Sequence, residues 1–133
     1  MRIIGRSEHA IVGGDECVVV GGDATVDARE DATVIAGDAA YVIAGGAAYV
    51  IASDDARVVA NDAATVNATD CVTVYASGDA TVVASGAATV LARDRARVLA
   101  GGDAHVELLD SAQATLTGDA RAIVRRGWAS GLA

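Results

Sequence analysis

The chain has 133 residues, no proline, no phenylalanine and no lysine, and 53% of its residues are hydrophobic, mostly Ala and Val. A mean hydropathy of +0.38 disfavours disorder, while side chains as small as Ala and Val fill an ordinary globular core poorly. The net charge of -8, from 18 acidic and 10 basic residues, repels phosphate backbones and disfavours general nucleic-acid binding.

The chain opens with a short segment, residues 1–6, that we interpret as an N-terminal cap. It has no apolar stretch of the kind that a secretory signal requires. No apolar run further along approaches the roughly 20 residues of a transmembrane helix, so we expect no membrane-spanning segment. No linker interrupts the chain, which predicts a single domain over residues 1–133.

An eight-residue repeat follows, and it covers residues 7–126 as fifteen octads without an insertion. Counted from Ser7, position two is nearly always Ala, position four Val and position six Ala. Positions three and five vary, and positions seven, eight and one are rich in Gly, Asp and Ser. Such a fixed period is the signature of a repeat architecture. We interpret residues 127–133 as a second, C-terminal cap.

Small residues two apart indicate a β-strand whose positions two, four and six face inward. In a helix, the same positions would scatter around the axis at about 100° per residue. Where position four shrinks to Ala, position six grows, as in Ala10 with Val12 and Ala114 with Leu116, which indicates a shared interior. Glu8 and Glu16 break the inward rule at the first end, where a cap would admit water.

Strands this short bury their inner face only by stacking, so the sequence predicts an all-β solenoid, or β-helix, of fifteen octads. Three arrangements compete: one chain with 16 residues per coil, one chain with 24, and an intertwined homotrimer. A triangular section is widest behind the middle of each side, which suits Ala-Val-Ala, so we expect the triangle and the homotrimer. Matches between adjacent octads, such as Tyr41 with Tyr49, fit cross-strand neighbours in a trimer and recent duplication equally well.

Several octads read T-V-x-A followed by a Gly- or Asp-containing turn, as at residues 81–86 and 97–104, and the first two contain V-G-G-D at residues 12–15 and 20–23. This pattern resembles the octapeptide repeats of the trimeric β-helix in phage contractile-tail puncturing spikes and type VI secretion spike proteins. The resemblance implies a homotrimeric spike docked to a tail or carrier protein, located in a virion or injection apparatus. Ala replaces the family's Val from Ala28 to Ala100, and the chain end lacks the family's His-x-His, so no metal site is carried over.

The sequence predicts no catalytic, cofactor-binding or metal-binding residue, and no cofactor. The Asp- and Gly-rich turns have the wrong period for nonapeptide calcium repeats, so we interpret them as turn chemistry. His9 and His105 fall at outward position three without neighbouring ligands. Cys17 has no nearby His that would make it a nucleophile, and Cys17 and Cys71 occupy different repeat positions, which disfavours a disulfide.

Three outward features could serve binding. A row of threonines over residues 65–89 suggests ice binding only weakly, since it is short. An apolar row at position five suggests a protein interface or a solvated β-branched surface; it consists of Ile35, Ile43, Ile51, Val59, Val83, Leu91 and Leu99. The basic end with Arg121, Arg125, Arg126 and Trp128 suggests a docking tip or a cap against edge-to-edge aggregation.

We therefore expect a non-enzymatic structural protein, a rigid spike or shaft of a phage tail or related injection apparatus. One alternative is an acidic, monomeric or dimeric cytoplasmic solenoid that binds a protein by imitating DNA. The other is a scaffold that assembles by self-stacking.

Overall fold

The computed structural model describes residues 2–4, 8–109 and 112–124, and every element within them is a β-strand. There are sixteen strands in the described part of the chain, nearly all of four residues at positions three to six of an octad. Their bounds are β1 Arg2–Ile4, β2 His9–Val12, β3 Cys17–Val20, β4 Thr25–Ala28, β5 Thr33–Ala36, β6 Tyr41–Ala44, β7 Tyr49–Ala52, β8 Arg57–Ala60, β9 Thr65–Ala68, β10 Thr73–Ala76, β11 Thr81–Ala84, β12 Thr89–Ala92, β13 Arg97–Ala100, β14 His105–Leu108, β15 Gln113–Leu116 and β16 Arg121–Val124.

The strands form two parallel sheets. Each strand pairs with the strands two before and two after it in the chain, as β5 does with β3 and β7. Sheet A contains the odd-numbered strands in the order β1 to β15, and sheet B contains the even-numbered strands from β2 to β16. The register is constant at sixteen residues, as in Val66 opposite Val82 and Val58 opposite Val74. One coil therefore consists of two octads, one in each sheet, and the predicted all-β solenoid is confirmed.

A tight turn closes each octad and sends the chain to the opposite sheet. In one of them, the Ala40 N–H donates to the Gly37 carbonyl at 3.1 Å, which closes a four-residue β-turn. Position eight of this turn is Asp38, with φ of 53°, in the left-handed region that Gly and Asp adopt more readily than most residues. Gly and Asp therefore recur at position eight because the backbone there requires a positive φ.

The triangular section is corrected by this pairing, and strands of one chain complete the ladder without intertwined partners, while the number of copies that assemble stays a prediction. Each turn reverses the chain within four residues, so the coil has two sides, and the ladder bonds of the strands from β3 to β14 are made to strands of the same chain. The Ala-Val-Ala profile did not discriminate, because a two-sided section narrows toward its turns just as a triangle narrows toward its corners. The single-chain alternative with 16 residues per coil is the one observed.

The interior consists of the columns at positions two, four and six, as predicted. In the middle of the solenoid, Ala64, Val66 and Ala68 are each fully buried, and the described core contains no buried polar or charged side chain. Leu108 is the largest fully buried side chain. Stacking of like on like removes these small side chains from water although none of them is bulky, which gives a dry and very thin core.

The ends differ from the sequence interpretation in one respect. Within the segment expected to be a cap, Arg2–Ile4 forms β1 and continues sheet A beside Val18–Val20. The solenoid therefore begins before the first octad. Glu8 and Glu16 are both exposed, in agreement with the expectation that the first end admits water. The cap expected at residues 127–133 lies outside the described residues.

Candidate functional site

The outward face of sheet A, from β3 to β15, has almost no charge. Position three supplies one outward column and position five the other, and Arg97 is the single charged side chain among the fourteen. The position-three column contains Cys17, Thr33, Tyr49, Thr65, Thr81, Arg97 and Gln113, and the position-five column contains Val19, Ile35, Ile51, Asn67, Val83, Leu99 and Thr115. Ile51 and Leu99 are 40% and 48% exposed, which is high for apolar side chains of this size.

The outward face of sheet B is more polar. Its position-three column contains His9, Thr25, Tyr41, Arg57, Thr73, Thr89, His105 and Arg121, and its position-five column contains Ile11, Asp27, Ile43, Val59, Tyr75, Leu91, Glu107 and Ile123. Four of these sixteen residues carry a full charge. The Asp27 carboxylate accepts two hydrogen bonds from Arg29, at 3.0 and 3.3 Å, and this contact raises the pKa of the Arg29 guanidinium.

The rows expected from adjacent octads are divided between the two faces. Ile35 and Ile51 are ladder neighbours on sheet A, whereas Ile43 lies on sheet B. Thr65 and Thr81 pair on sheet A, and the other threonines of the predicted row lie on sheet B. Tyr41 and Tyr49 also face opposite ways, so the interpretation of adjacent octads as cross-strand neighbours is wrong. The apolar row is outward, as predicted, but forms two separate stripes.

At position eight of several turns, a carboxylate accepts a hydrogen bond from a backbone N–H group. Along the turns that lead from sheet A to sheet B, Asp38, Asp54 and Asp70 occupy successive coils, and each accepts a hydrogen bond from the N–H of the residue one coil earlier, at 3.1 to 3.3 Å. On the other side of the coil, Asp62 and Asp94 do the same for the N–H groups of Gly46 and Gly78. Many of the acidic residues therefore have a structural use.

Other polar contacts also join successive coils along the turns. The Ser77 hydroxyl donates to the Asn61 side-chain oxygen at 2.7 Å. Arg95 contacts both carboxylate oxygens of Asp79 at 3.2 and 3.3 Å, but both side chains are largely exposed. Exposed ion pairs contribute little stability, so this pair adds mainly to the polar character of the rim.

The residues weighed for chemistry stay apart. His9 lies on β2 and His105 on β14, near opposite ends of sheet B. Cys17 is half-buried on sheet A, Cys71 is exposed in a turn, and both are free. Among the described side chains, no group of three or more His, Cys, Asp and Glu is placed to hold a metal ion.

Two open grooves lie near the carboxyl end of sheet B. One, of about 300 Å³, runs between the outward columns and is lined by Tyr75, Leu91, His105 and Ile123, among others. The other, of about 560 Å³, lies at the rim between Asp103, Asp119 and Arg121. Arg121 is exposed, as the docking-tip hypothesis requires, whereas Arg125, Arg126 and Trp128 lie outside the described residues.

Comparisons of the chain with protein-family models, with curated proteins and with solved structures find no match. Within the described ranges, no helix is long and apolar enough to cross a membrane. In the described part of the chain, the most informative surface features are the two sheet faces of different polarity and the outermost strands of each sheet, which no other described strand covers.

Sequence reasoning missed the difference between the faces because it depends on coil length. With sixteen residues per coil, alternate octads lie in opposite sheets. With 24 residues per coil, or in an intertwined homotrimer, each face would contain both odd-numbered and even-numbered octads. Asp38, Asp54 and Asp70 recur at intervals of sixteen, but Asp62 lies midway between the last two, so this recurrence does not distinguish sixteen residues per coil from eight per layer.

Proposed function

We propose that this chain is a non-enzymatic structural protein, a stiff rod whose copies stack end to end into a filament or scaffold. The observation that carries the proposal is the state of the two ends. Sheet A ends at β1 and β15, and sheet B ends at β2 and β16, so each end presents two neighbouring strand edges. Among the described residues, no strand covers these outer edges.

The hydrogen-bonding direction of the ladder supports stacking. At position three the N–H donates to the preceding coil, as Arg121 does to the Ala104 carbonyl at 2.9 Å. Position-two carbonyls such as that of Ala104 accept from the following coil. In the last coil, the corresponding carbonyl of Ala120 faces the open end, where it matches the N–H groups that the first coil of another copy presents. Open edges of this kind are templates for pairing with another chain.

The coil count also supports stacking. Each sheet contains eight strands, so the described chain makes whole coils and ends on the opposite sheet from the one in which it starts. A second copy can then place its β1 against β15 and its β2 against β16 without changing sheet. With strands about 4.8 Å apart, each copy would add about 38 Å to a filament.

Burial weakens toward the open end. Ala122 occupies the inward register of Val106 but is only partly buried, and Leu116 is also partly buried, whereas the same columns are dry in the middle of the rod. Another copy would cover these apolar side chains, and their burial would add to the new ladder hydrogen bonds.

The two other functions have less support. The injection spike was expected from a resemblance to a family with three intertwined chains, whereas the described strands pair within one chain and leave no strand edge for partners along the shaft. The DNA mimic rested on the acidic charge, and five of the 18 acidic residues have a structural use as acceptors from turn N–H groups, namely Asp38, Asp54, Asp62, Asp70 and Asp94.

The test is electron microscopy and sedimentation of the purified chain over a range of concentrations. We expect unbranched filaments with a strand spacing of about 4.8 Å along the axis and a subunit repeat of about 38 Å. Ala122→Lys places an ammonium group in the junction and should raise the concentration needed for filaments at least tenfold. In the single rod, the lysine can reach water at the open end, so folding should survive.

Ile123→Lys is the matched control. Ile123 is the next residue of β16, points outward on sheet B and is 60% exposed, so the same charge there stays outside the junction. Filaments from this variant should form as they do from the parent chain. Single rods of the parent chain at all concentrations, or equal inhibition by both lysines, would overturn the proposal.

A further inference from the structure

We infer that the sheet A face is a homodimer interface, in which two copies pack face to face with their coils running in opposite directions. This interface is lateral, and so it goes beyond the end-to-end contact of the proposed function. Three features of the face carry the inference: its lack of charge, the order of its side chains and its area.

The charge distribution selects sheet A over sheet B. The single charged outward residue of sheet A, Arg97, lies in the position-three column beside the rim, in a groove that it shares with Asp79 and Arg95. Its guanidinium can therefore stay in water while the position-five column, which has no charge, is covered. Apart from Asn67 at its middle and Thr115 at its end, this column is apolar, and an exposed apolar stripe marks an interface more often than a solvated surface.

Over the five strands from β5 to β13, the position-five column is apolar on both sides of Asn67. Ile51 and Val83 lie one strand to either side of it, and Ile35 and Leu99 lie two strands away. A two-fold axis in the interface plane, over β9 and parallel to the strands, reverses the coil order and sets Ile51 against Val83 of the second copy. An isologous interface must be self-complementary in this way.

The residues at the axis are polar and can pair with themselves. Asn67 would meet Asn67 of the second copy, and its amide supplies both a donor and an acceptor. Thr65 lies in the same strand, at position three, and would likewise meet its own copy. A lone polar pair within an apolar seam fixes register, because any slip leaves both amides buried against aliphatic side chains.

Sheet B is less suited to this packing, because wherever the axis lies its position-five column brings the carboxylates of Asp27 and Glu107 into the covered seam. An axis midway along the sheet, between β8 and β10, would set Asp27 of one copy against Glu107 of the other. Two carboxylates brought together in a closing interface repel each other.

The area is sufficient for a weak pair. Seven strands about 4.8 Å apart and about 13 Å long offer roughly 450 Å² of flat face in each copy, or about 900 Å² in the pair before surface relief is counted. Specific interfaces begin near about 1,000 Å² in total. This face lies at that lower limit, so we expect a weak dimer.

A charge exchange tests both the surface and the direction of packing. Sedimentation equilibrium of the parent chain, below the concentration at which filaments form, should give a dimer. Ile51→Arg should shift it to monomer by weakening the dimer at least a hundredfold. Adding Val83→Glu to that variant should restore the dimer, because the introduced guanidinium of each copy then faces the introduced carboxylate of the other.

Val59→Arg is the matched control, since Val59 occupies position five on sheet B and should leave the dimer unchanged. If the copies ran in the same direction, position 51 would face Tyr49, and the double variant would remain monomeric. A monomeric parent chain, an Ile51→Arg dimer of unchanged affinity, or a double variant that stays monomeric would each overturn the inference. None of these results affects end-to-end filaments, which are scored separately by the Ala122→Lys variant.

Discussion

Position six and position eight of the same two coils differ in which side chains they contain. Ala44 and Ala60 stand one coil apart at position six, are identical and are fully buried. Gly46 and Asp62 stand one coil apart at position eight, with nearly equal φ of 59° and 54°, yet differ in size and charge. The interior therefore limits volume and polarity, whereas the turn requires a positive φ and contains Gly, Asp or Glu at that position in the described coils.

The largest expected loss of stability comes from a charged substitution in the interior. Val58→Asp places a carboxylate at a fully buried position four, where no polar group is available to it. An unpaired buried charge of this kind should lower the free energy of unfolding by about 4 kcal/mol. Urea denaturation followed by circular dichroism measures the change.

Val59→Asp is the control for that variant. Val59 is the next residue of β8, points outward and is half-buried, so the loss there should be about 1 kcal/mol, from the poor strand propensity of Asp. Equal losses at the two positions would contradict the inward assignment of position four.

The inward columns were predictable because their cause is local. Ala64, Val66 and Ala68 alternate with variable residues, and that two-residue period exists only in a strand. The turns were predictable for a similar reason, since Gly and Asp adopt the positive φ that position eight requires. Glu30, with φ of 58°, follows the same backbone although its residue type does not suggest it.

The coil length was not predictable from the same columns. A valine flanked by alanines suits any section that is thick in the middle, and the number of octads in one coil depends on how far each turn rotates the chain. That rotation is set by bonds such as Ala40 N–H to the Gly37 carbonyl, which residue types alone do not specify. The two faces and their different charge depend on coil length, so the candidate interface could not be assigned from sequence.

An intermediate loss of stability is expected when a turn glycine at position eight is replaced by alanine. A Cβ atom at Gly46 would lie 2.8 Å from the Glu30 nitrogen, whereas at Gly14, which has the same φ, it would meet nothing within 4 Å. Both alanine variants incur the cost of the left-handed region, about 1 kcal/mol, and only Gly46→Ala adds the close contact. We expect total losses of about 2 to 3 kcal/mol at Gly46 and about 1 kcal/mol at Gly14, measured by urea denaturation.

Gly46→Asp distinguishes a clash from a missing hydrogen bond. Its carboxylate can accept from the Glu30 N–H, as Asp62 does from the Gly46 N–H at 3.2 Å. Asp should therefore be less destabilising than Ala at position 46, although it is larger. The reverse order would mean that the carboxylates at position eight do not stabilise the turn.

The smallest effect concerns Asp54, in the middle of the column of three aspartates. Its carboxylate accepts from the Asp38 N–H at 3.3 Å, and its backbone has φ of 59°. Asp54→Ala loses the hydrogen bond and keeps the strained dihedral, so the free energy of unfolding should fall by about 1 kcal/mol. Asp54→Gly loses the same hydrogen bond but relieves the strain, and the two effects should cancel to within about 0.5 kcal/mol.

Asp55→Ala separates the hydrogen bond from the charge. Asp55 is the next residue, is exposed and does not have a positive φ, and its N–H still donates to the Asp38 carbonyl at 2.9 Å after the side chain is removed. It should change stability by no more than about 0.5 kcal/mol. If Asp55→Ala cost as much as Asp54→Ala, the loss would come from removal of a rim charge. If Asp54→Gly were as destabilising as Asp54→Ala, the hydrogen bond would outweigh the dihedral, and position eight would select for an acceptor before it selects for a left-handed backbone.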